Sequence, residues 1–334
     1  MDKLSGVILA FASFFTISVS AANAEWYVAT TAVPKAMPFA QTSTEIRQED
    51  HKVYSYGIKW TSISPQGNSV NIVVEIPPAR PSAKNGIPHG FVATHEPDMS
   101  AWYESPTDRY QHGALGDIIE AGRLAVRVDN KTLRLDLPVT QVFEDIAPRL
   151  ADINGDGNLD IVTIRSDLST GAAIAVYAIV ADEIVELVAT EPIGLANRWL
   201  NIAGIADYDG DGALDIAQVI KPHLTGNLQV LTLRDGRLES YASLNGLSNH
   251  INGDTELEMS ATTDVDGDGI VDLVLPTFGQ GSLVAYSFTN GINLLFRVKI
   301  PKRIRTAIGT IATESGPHFI FGNGADELQT VKSR

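Results

Sequence analysis

Asp207-Tyr208-Asp209-Gly210-Asp211-Gly212-Ala213-Leu214-Asp215 is the stretch on which the reading turns, because two other segments repeat it. They are Asp152-Ile153-Asn154-Gly155-Asp156-Gly157-Asn158-Leu159-Asp160 and Asp264-Val265-Asp266-Gly267-Asp268-Gly269-Ile270-Val271-Asp272. The residues after each copy repeat as well. An apolar run (Ile161–Ile164, Ile216–Val219, Leu273–Leu275) leads to a glycine (Gly171, Gly226, Gly281) and an alternating strand (Ala173–Val180, Leu228–Leu233, Leu283–Phe288). A second turn closes the unit at Asp182-Glu183, Asp235-Gly236 or Asn290-Gly291, and Asp-Gly and Asn-Gly supply the positive φ angles that a two-residue hairpin requires. Four short strands joined by turns over roughly 50 residues make an antiparallel sheet that cannot bury its faces alone, so copies must stack, and radial stacking gives a β-propeller. No amphipathic helix interrupts the pattern. The expected fold is therefore all-β, a β-propeller of about six four-stranded antiparallel blades, five to seven being compatible with the length. The acidic loops fall between the first two strands of three blades.

Fainter copies extend the array. Asp108–Asp117 keeps the outline of the acidic loop with its middle acids replaced, and leads into Leu124–Val128, the turn Asp129-Asn130 and Leu133–Leu135. Ala307–Thr313 and His318–Phe321 read as the first two strands of a last copy. Toward the start the pattern fades: Val53–Trp60 and Val70–Ile76 read as strands, and Thr31–Gln48 as a linker or long loop. The expected organisation is residues 1–24 as a signal peptide, 25–85 as N-terminal strands and a linker able to complete the propeller, and 86–334 as the repeat-built propeller.

The acidic loops carry the chemistry. Oxygen-bearing side chains stand at positions 1, 3, 5 and 9: Asp152, Asn154, Asp156 and Asp160; Asp207, Asp209, Asp211 and Asp215; Asp264, Asp266, Asp268 and Asp272. Position 7 (Asn158, Ala213, Ile270) would add its backbone carbonyl, and the glycine at position 6 allows the sharp turn. Such a flexible, oxygen-rich cage suits Ca²⁺ better than Mg²⁺, which demands a tighter octahedron. The loops start like an EF-hand, but position 12 holds Thr163, Gln218 and Leu275 where an EF-hand needs a bidentate Glu, and strands come next instead of helices. Close carboxylate pairs repel by on the order of a kcal/mol or more at an intermediate dielectric, so eleven acids in three tight loops point to about three bound Ca²⁺ rather than to turns alone.

These loops, each leading into an apolar strand, resemble the FG-GAP/VCBS repeats of integrin α-subunit propellers and of secreted bacterial proteins, the bacterial group being the closer likeness. Asn197–Asn201 and Leu247–His250, which precede two of the loops, are similar to that group too. The resemblance covers roughly residues 86 to 334. It implies a propeller with calcium at the matching loop positions, and no particular activity. Phe278-Gly279 occurs once without a following Gly-Ala-Pro, a departure from the integrin pattern.

Composition bounds the function. The chain has 334 residues, 44% of them hydrophobic, which is ample for a buried core. With no cysteine there is no disulfide, thiolate metal site or thiol nucleophile. A net charge of −15 argues against nucleic acid, whose phosphates call for clustered Lys and Arg. The basic cluster Lys302, Arg303 and Arg305 reads as a solvated loop. Lys3, the apolar run Leu4–Ser20 and the small residues of Ala22-Asn23-Ala24 form a signal peptide with cleavage before Glu25. No later run of 18 apolar residues occurs, so no membrane span is expected after cleavage, and the protein is expected to be periplasmic or secreted.

Phosphate-loop, dinucleotide, zinc-protease and serine-elbow motifs are absent. The segment bearing His89, His95, Glu96, Asp98, Trp102, Tyr103, Asp108, Arg109, Tyr110 and His112 reads either as a site at a propeller mouth or as a surface loop whose aromatics cover a blade edge, and the second reading is preferred. Arg198 and Trp199 read as packing between blades rather than as a sugar platform, and His223 and His250 as structural. The expected function is a non-enzymatic, calcium-stiffened binding module for a glycan or an envelope protein. The alternative is a calcium-dependent polysaccharide lyase with His or Tyr as base and Arg109 on a uronate carboxylate.

Overall fold

The computed structural model describes residues 25–30, 45–49, 52–56, 60–95, 99–323 and 328–334, so the expected signal peptide lies outside the described residues. The fold is all-β, with one short 3-10 turn at Gly113–Leu115 and no helix long or apolar enough to cross a membrane among the described residues.

The strands form five antiparallel sheets, none of which closes on itself among the described residues. β2 (Glu45–Glu49), β3 (Lys52–Tyr56), β4 (Trp60–Gln66) and β5 (Ser69–Val74) make one four-stranded meander. β6 (Ala93–His95), β7 (Met99–Thr107), β8 (Glu120–Val128) and β9 (Lys131–Asp136) make a second, and β11 (Arg149–Ala151), β12 (Asp160–Asp167), β13 (Gly171–Val180) and β14 (Glu183–Ala189) a third. β10 (Gln141–Phe143) pairs with both β8 and β12 and joins these two into a nine-stranded sheet. β15 (Leu200–Ala206) to β18 (Arg237–Asn245), through β16 (Asp215–Ile220) and β17 (Asn227–Arg234), form the next meander. β19 (Ala261–Thr263), β20 (Asp272–Pro276), β21 (Ser282–Ser287) and β22 (Asn293–Lys299) form another. In the last sheet β23 (Gly309–Thr313), β24 (Gly316–Gly322) and β25 (Leu328–Ser333) are completed by β1 (Trp26–Thr30), which pairs antiparallel with β25 from Trp26 opposite Ser333 to Thr30 opposite Gln329.

The core lies between the sheets. Successive residues of a strand point to opposite faces, and the central strands here bury both. On β16, Ile216 packs with Val162, Ile164 and Ile174 of the preceding sheet, while Ala217 and Val219 pack with Leu273, Leu275 and Val284 of the following one. On β20, Val274 faces onward to Phe319, Phe321 and Val331. Leu124 and Val126 meet Ile161 and Tyr177, and Val53 and Ile63 meet Ile311 and Ile320. This two-sided burial is why the second strand of each unit reads as an unbroken apolar run.

Four local expectations are corrected. Thr31–Gln48 is not wholly a linker, since Glu45–Glu49 pairs with Lys52–Tyr56 as β2. The turn expected at Asp182-Glu183 sits one residue earlier, where Ala181 (φ 50°) and Asp182 (φ 67°) are the two central residues between Val180 and Glu183. The loop holding Asp108–Asp117 joins β7 to β8, the second and third strands of its sheet, whereas the acidic loops join first to second. It is therefore not a degenerate copy of them. Met99–Thr107, expected as part of a surface loop, is a strand whose Met99, Ala101 and Tyr103 are buried.

Candidate functional site

The three acidic loops occupy equivalent places, joining β11 to β12, β15 to β16 and β19 to β20. Their internal hydrogen bonds repeat. The position-1 aspartate accepts from the position-6 glycine N–H at 2.9, 2.9 and 3.0 Å through Asp152, Asp207 and Asp264. The position-5 aspartate accepts from the N–H of position 7 at 2.8, 2.9 and 2.8 Å through Asp156, Asp211 and Asp268. The position-9 aspartate, first residue of the next strand, accepts from the N–H of position 2: Ile153 to Asp160 at 2.9 Å, Tyr208 to Asp215 at 3.1 Å, Val265 to Asp272 at 2.8 Å. Glycines at positions 4 and 6 all have positive φ, from 71° to 92°, so the carboxylates are gathered by a backbone that other residues adopt only with strain.

Gathering differs between the loops. Oxygens of Asp207, Asp209 and Asp215 lie within 4.8 Å of one another, as do those of Asp264, Asp266 and Asp268. In the first loop Asn154 replaces an acid, and its amide nitrogen donates to Asp156 at 3.0 Å. Burial raises the pKa of Asp160 and Asp215, and pushes Asp272 up to about 7, with Asp266, Asp268 and Asp264 adding repulsion there. Asp215 is 1% exposed; its Oδ2 accepts from Tyr208 N–H and from the Tyr241 hydroxyl at 2.7 Å, while its Oδ1 has no donor. A buried carboxylate oxygen without a partner is costly, and a cation is the partner that this arrangement suits.

Some residues around the loops carry no motif. Tyr241 reaches Asp215 from β18, at the far edge of the same sheet, and nothing local marks it. Tyr208, at position 2, bonds Thr262 of the next sheet at 2.7 Å and ties neighbouring units together beside the loop. Thr289 donates to Asp268 at 3.4 Å.

The second candidate cluster is dispersed. Glu96 and Asp98 lie outside the described residues. Tyr103 is 2% exposed and stacks on Phe143 at 5.1 Å. Arg109 Nε donates to the Gln141 carbonyl at 2.9 Å, Trp102 donates to Glu104 at 3.0 Å, and the Tyr110 hydroxyl accepts from Asn197 N–H at 2.8 Å. His89 Nε2 stands 3.7 Å from Asp117, and His95 is exposed on β6. His112 Nδ1 lies 2.5 Å from Glu144, a fully buried carboxyl that also accepts from Ser166 and is pushed up by burial against those stabilising contacts. Trp199, 2% exposed, donates to the Glu144 carbonyl at 2.9 Å and faces His223 and His250, so it fills a seam and offers no platform to a sugar. His223 and His250 bond each other at 2.7 Å, and burial lowers them to about 4 and about 3. Arg198 donates to the carbonyl of Asn197.

A cavity of about 1390 Å³ runs along first strands β11, β15 and the segment leading into β19. Its polar lining includes Arg80, Arg149, Glu256, Glu258 and Arg305, so one member of the expected solvated loop Lys302–Arg305 faces it.

A search with the whole sequence against curated proteins finds no match. Among solved structures, the rhamnogalacturonan lyase PL11 of Bacillus licheniformis aligns with a TM-score of 0.45 and 12% identity over 85% of this chain and 65% of that one. An auxiliary nutrient binding protein from Bacteroides thetaiotaomicron aligns at 0.45 and 9% identity over 93% and 77%, and Sqt1 of Saccharomyces cerevisiae at 0.39 and 12% over 71% and 60%. The chain thus spans just under two thirds of the length of the lyase. Residues 152–217, from the first acidic loop through the second, match the family model of the FG-GAP-like repeat.

Proposed function

We propose that the chain is an exported, calcium-stiffened β-propeller of six blades that serves as a non-enzymatic binding module for a glycan or an envelope protein. The observation that carries the reading is the threefold recurrence of one acidic loop at one place in the sheet, with oxygens of three aspartates gathered in the second and third copies and an orphaned buried oxygen on Asp215. Calcium would be held by Asp207, Asp209, Asp211 and Asp215 with the Ala213 carbonyl, and by the corresponding residues 152–160 and 264–272. The ion would supply positive charge that cross-links each loop to the strand behind it, a stiffening role. Six blades are supported by the four-stranded units β2–β5, β6–β9, β11–β14, β15–β18, β19–β22 and β23–β25 with β1, and by one cavity lined by first strands β11 and β15 and by the segments leading into β6, β19 and β23. A binding role is favoured over the lyase because Tyr103 is buried in the core and Arg109, Tyr110 and His112 are occupied by structural partners. Export rests on Lys3, Leu4–Ser20 and Ala22–Ala24.

Calorimetric titration of calcium into the chelator-treated protein tests the ion. About three sites are expected, with Asp215→Asn losing one, and at tenfold excess over Kd each site adds roughly 1.4 kcal/mol of stability. No heat at millimolar calcium would end the calcium reading. Retention on acidic and neutral polysaccharides, read together with the ultraviolet absorbance of unsaturated products, separates a binder from a lyase.

A further inference from the structure

The basic cluster Lys302, Arg303 and Arg305 is anomalous in a chain of net charge −15, and the structure gives it a place. In each antiparallel unit the loops joining strands one to two and three to four lie at one end, and those joining two to three and four to the next unit lie at the other. The acidic loops belong to the first end. The segment 300–308, between β22 and β23, belongs to the second, so cations and the main carboxylate arrays are segregated to opposite ends of the sheets.

At that second end the cavity is lined by three arginines in different states. Arg80 pairs with Glu258 at 2.9 Å and lies 4.8 Å from the centre of the Phe91 ring. Arg149 pairs with buried Asp145 and donates to the Ala147 carbonyl at 3.1 Å. Arg305 is exposed, and its guanidinium has no ion-pair or hydrogen-bond partner among the described residues. Beside them Asp254, Glu256 and Glu258 stand at alternate positions of the segment leading into β19. Asp254 accepts from Glu256 N–H at 3.1 Å and Glu256 from Glu258 N–H at 2.8 Å. Burial, then the neighbouring Glu258 charge, pushes Glu256 up to about 8, so it is largely a neutral acid at pH 7, able to donate as well as accept. His89, which also lines the cavity, holds a left-handed backbone (φ 59°), a strained conformation of the kind that concentrates at binding sites.

We propose that this cavity binds a segment of an acidic polysaccharide, with the Arg305 guanidinium taking a sugar carboxylate and Asp254, Glu256 and Glu258 taking hydroxyls. The proposal rests on the glycan-binding reading above and narrows it to one ligand class and one end of the molecule. A guanidinium fork matches a carboxylate bidentately, which gives it both strength and direction. The carboxyl row is a poor neighbour for a polymer carrying one phosphate per about 1.7 Å, but suits a chain with one anionic group among many hydroxyls. Ile87, Phe91, Ile146 and Leu257 supply apolar wall against the C–H faces of sugar rings. At about 1390 Å³ the cavity exceeds the roughly 300–1,000 Å³ of a small-molecule pocket and accommodates several linked rings.

The test measures binding of hexagalacturonate and of its methyl ester, which keeps rings and hydroxyls but removes the charges, by calorimetry at fixed calcium. The proteins are wild type, Arg305→Gln and, as a control at the opposite end, Arg234→Gln, an exposed arginine beside the Asp235-Gly236 hairpin. The proposal expects the acid to bind at least tenfold tighter than the ester, Arg305→Gln to erase that difference, and Arg234→Gln to preserve it. Equal binding of acid and ester, or an unchanged preference in Arg305→Gln, overturns the cavity assignment while leaving a glycan-binding module standing. If wild type binds neither oligomer but is retained on a neutral polysaccharide, the acidic class falls and the binding reading survives. If nothing is retained on any polysaccharide, the glycan reading falls with it.

Discussion

Glu120 is 2% exposed and sits near Glu144, Asp117 and Asp145; loss of hydration, then the Glu144 charge, pushes its pKa up to about 10 from a reference of 4.5. Between those values the unfolded chain has released a proton that the folded chain keeps, so the contribution of Glu120 to stability falls as pH rises from 4.5 toward 10. Asp272 and Glu256, raised to about 7 and about 8, push in the same direction over narrower windows. His223 and His250 act oppositely: both stay neutral in the fold, so stability falls as pH drops below 6.5, where the unfolded imidazoles take up protons. Glu120→Gln keeps the shape and removes one titration. The expected outcome is a Tm close to wild type at about pH 5 and above it at about pH 9, read from calorimetric scans across that range. An identical slope for both proteins would mean that Glu120 is ionised in the fold.

At the scale of the element, the glycines that lead into the third strands are not equivalent. Gly226 has φ 61°, and a Cβ there would stand 1.9 Å from the Leu247 carbonyl oxygen; at Gly171 (φ 80°) the Leu195 oxygen is 2.3 Å away. Gly281 meets nothing within 4 Å and has no positive φ. Gly226→Ala is therefore expected to cost on the order of 2–4 kcal/mol, combining strain with displacement of backbone, whereas Gly281→Ala should be near neutral. Urea unfolding of the two variants checks this, and equal midpoints would contradict the geometry. The repeat of Asp, Gly and strand was legible in the sequence because the residues of each acidic loop lie within nine positions, and because two-sided burial makes the second strands continuously apolar. Asp108–Asp117 misled because spacing alone does not reveal which strands a loop joins; that depends on Met99–Thr107 pairing with Glu120–Val128, a contact between distant residues. Tyr241 on Asp215 and Arg305 on the cavity were illegible for the same reason, being brought into place only by the register of whole sheets.

Across the whole molecule, stacked sheets that touch only their neighbours behave as a one-dimensional array whose end units fray. The pairing of β1 with β25 counters this by building the last sheet from both ends of the described chain. Trp26 anchors the pairing: its ring lies 4.4 Å from that of Phe296 and 5.9 Å from that of Phe319, in the cluster that joins the sheets of β19–β22 and β23–β25. Losing that ring removes apolar contact from both sheets and also weakens a strand whose hydrogen bonds cover the edge of β25. Trp26→Ala is expected to cost about 3 kcal/mol, the range for truncating a large aromatic, and for a chain of this size a Tm lower by on the order of 6 °C. The diagnostic readout is where the loss falls. Amide exchange should accelerate at Phe319, Phe321 and Val331 well before it does at Val162 and Ile164, because the latter lie in a separate side-chain cluster that has no residue in common with the one around Trp26. Uniform acceleration across both groups would show that the sheets unfold as one body, and that the terminal strand does no more than add its own share of buried surface.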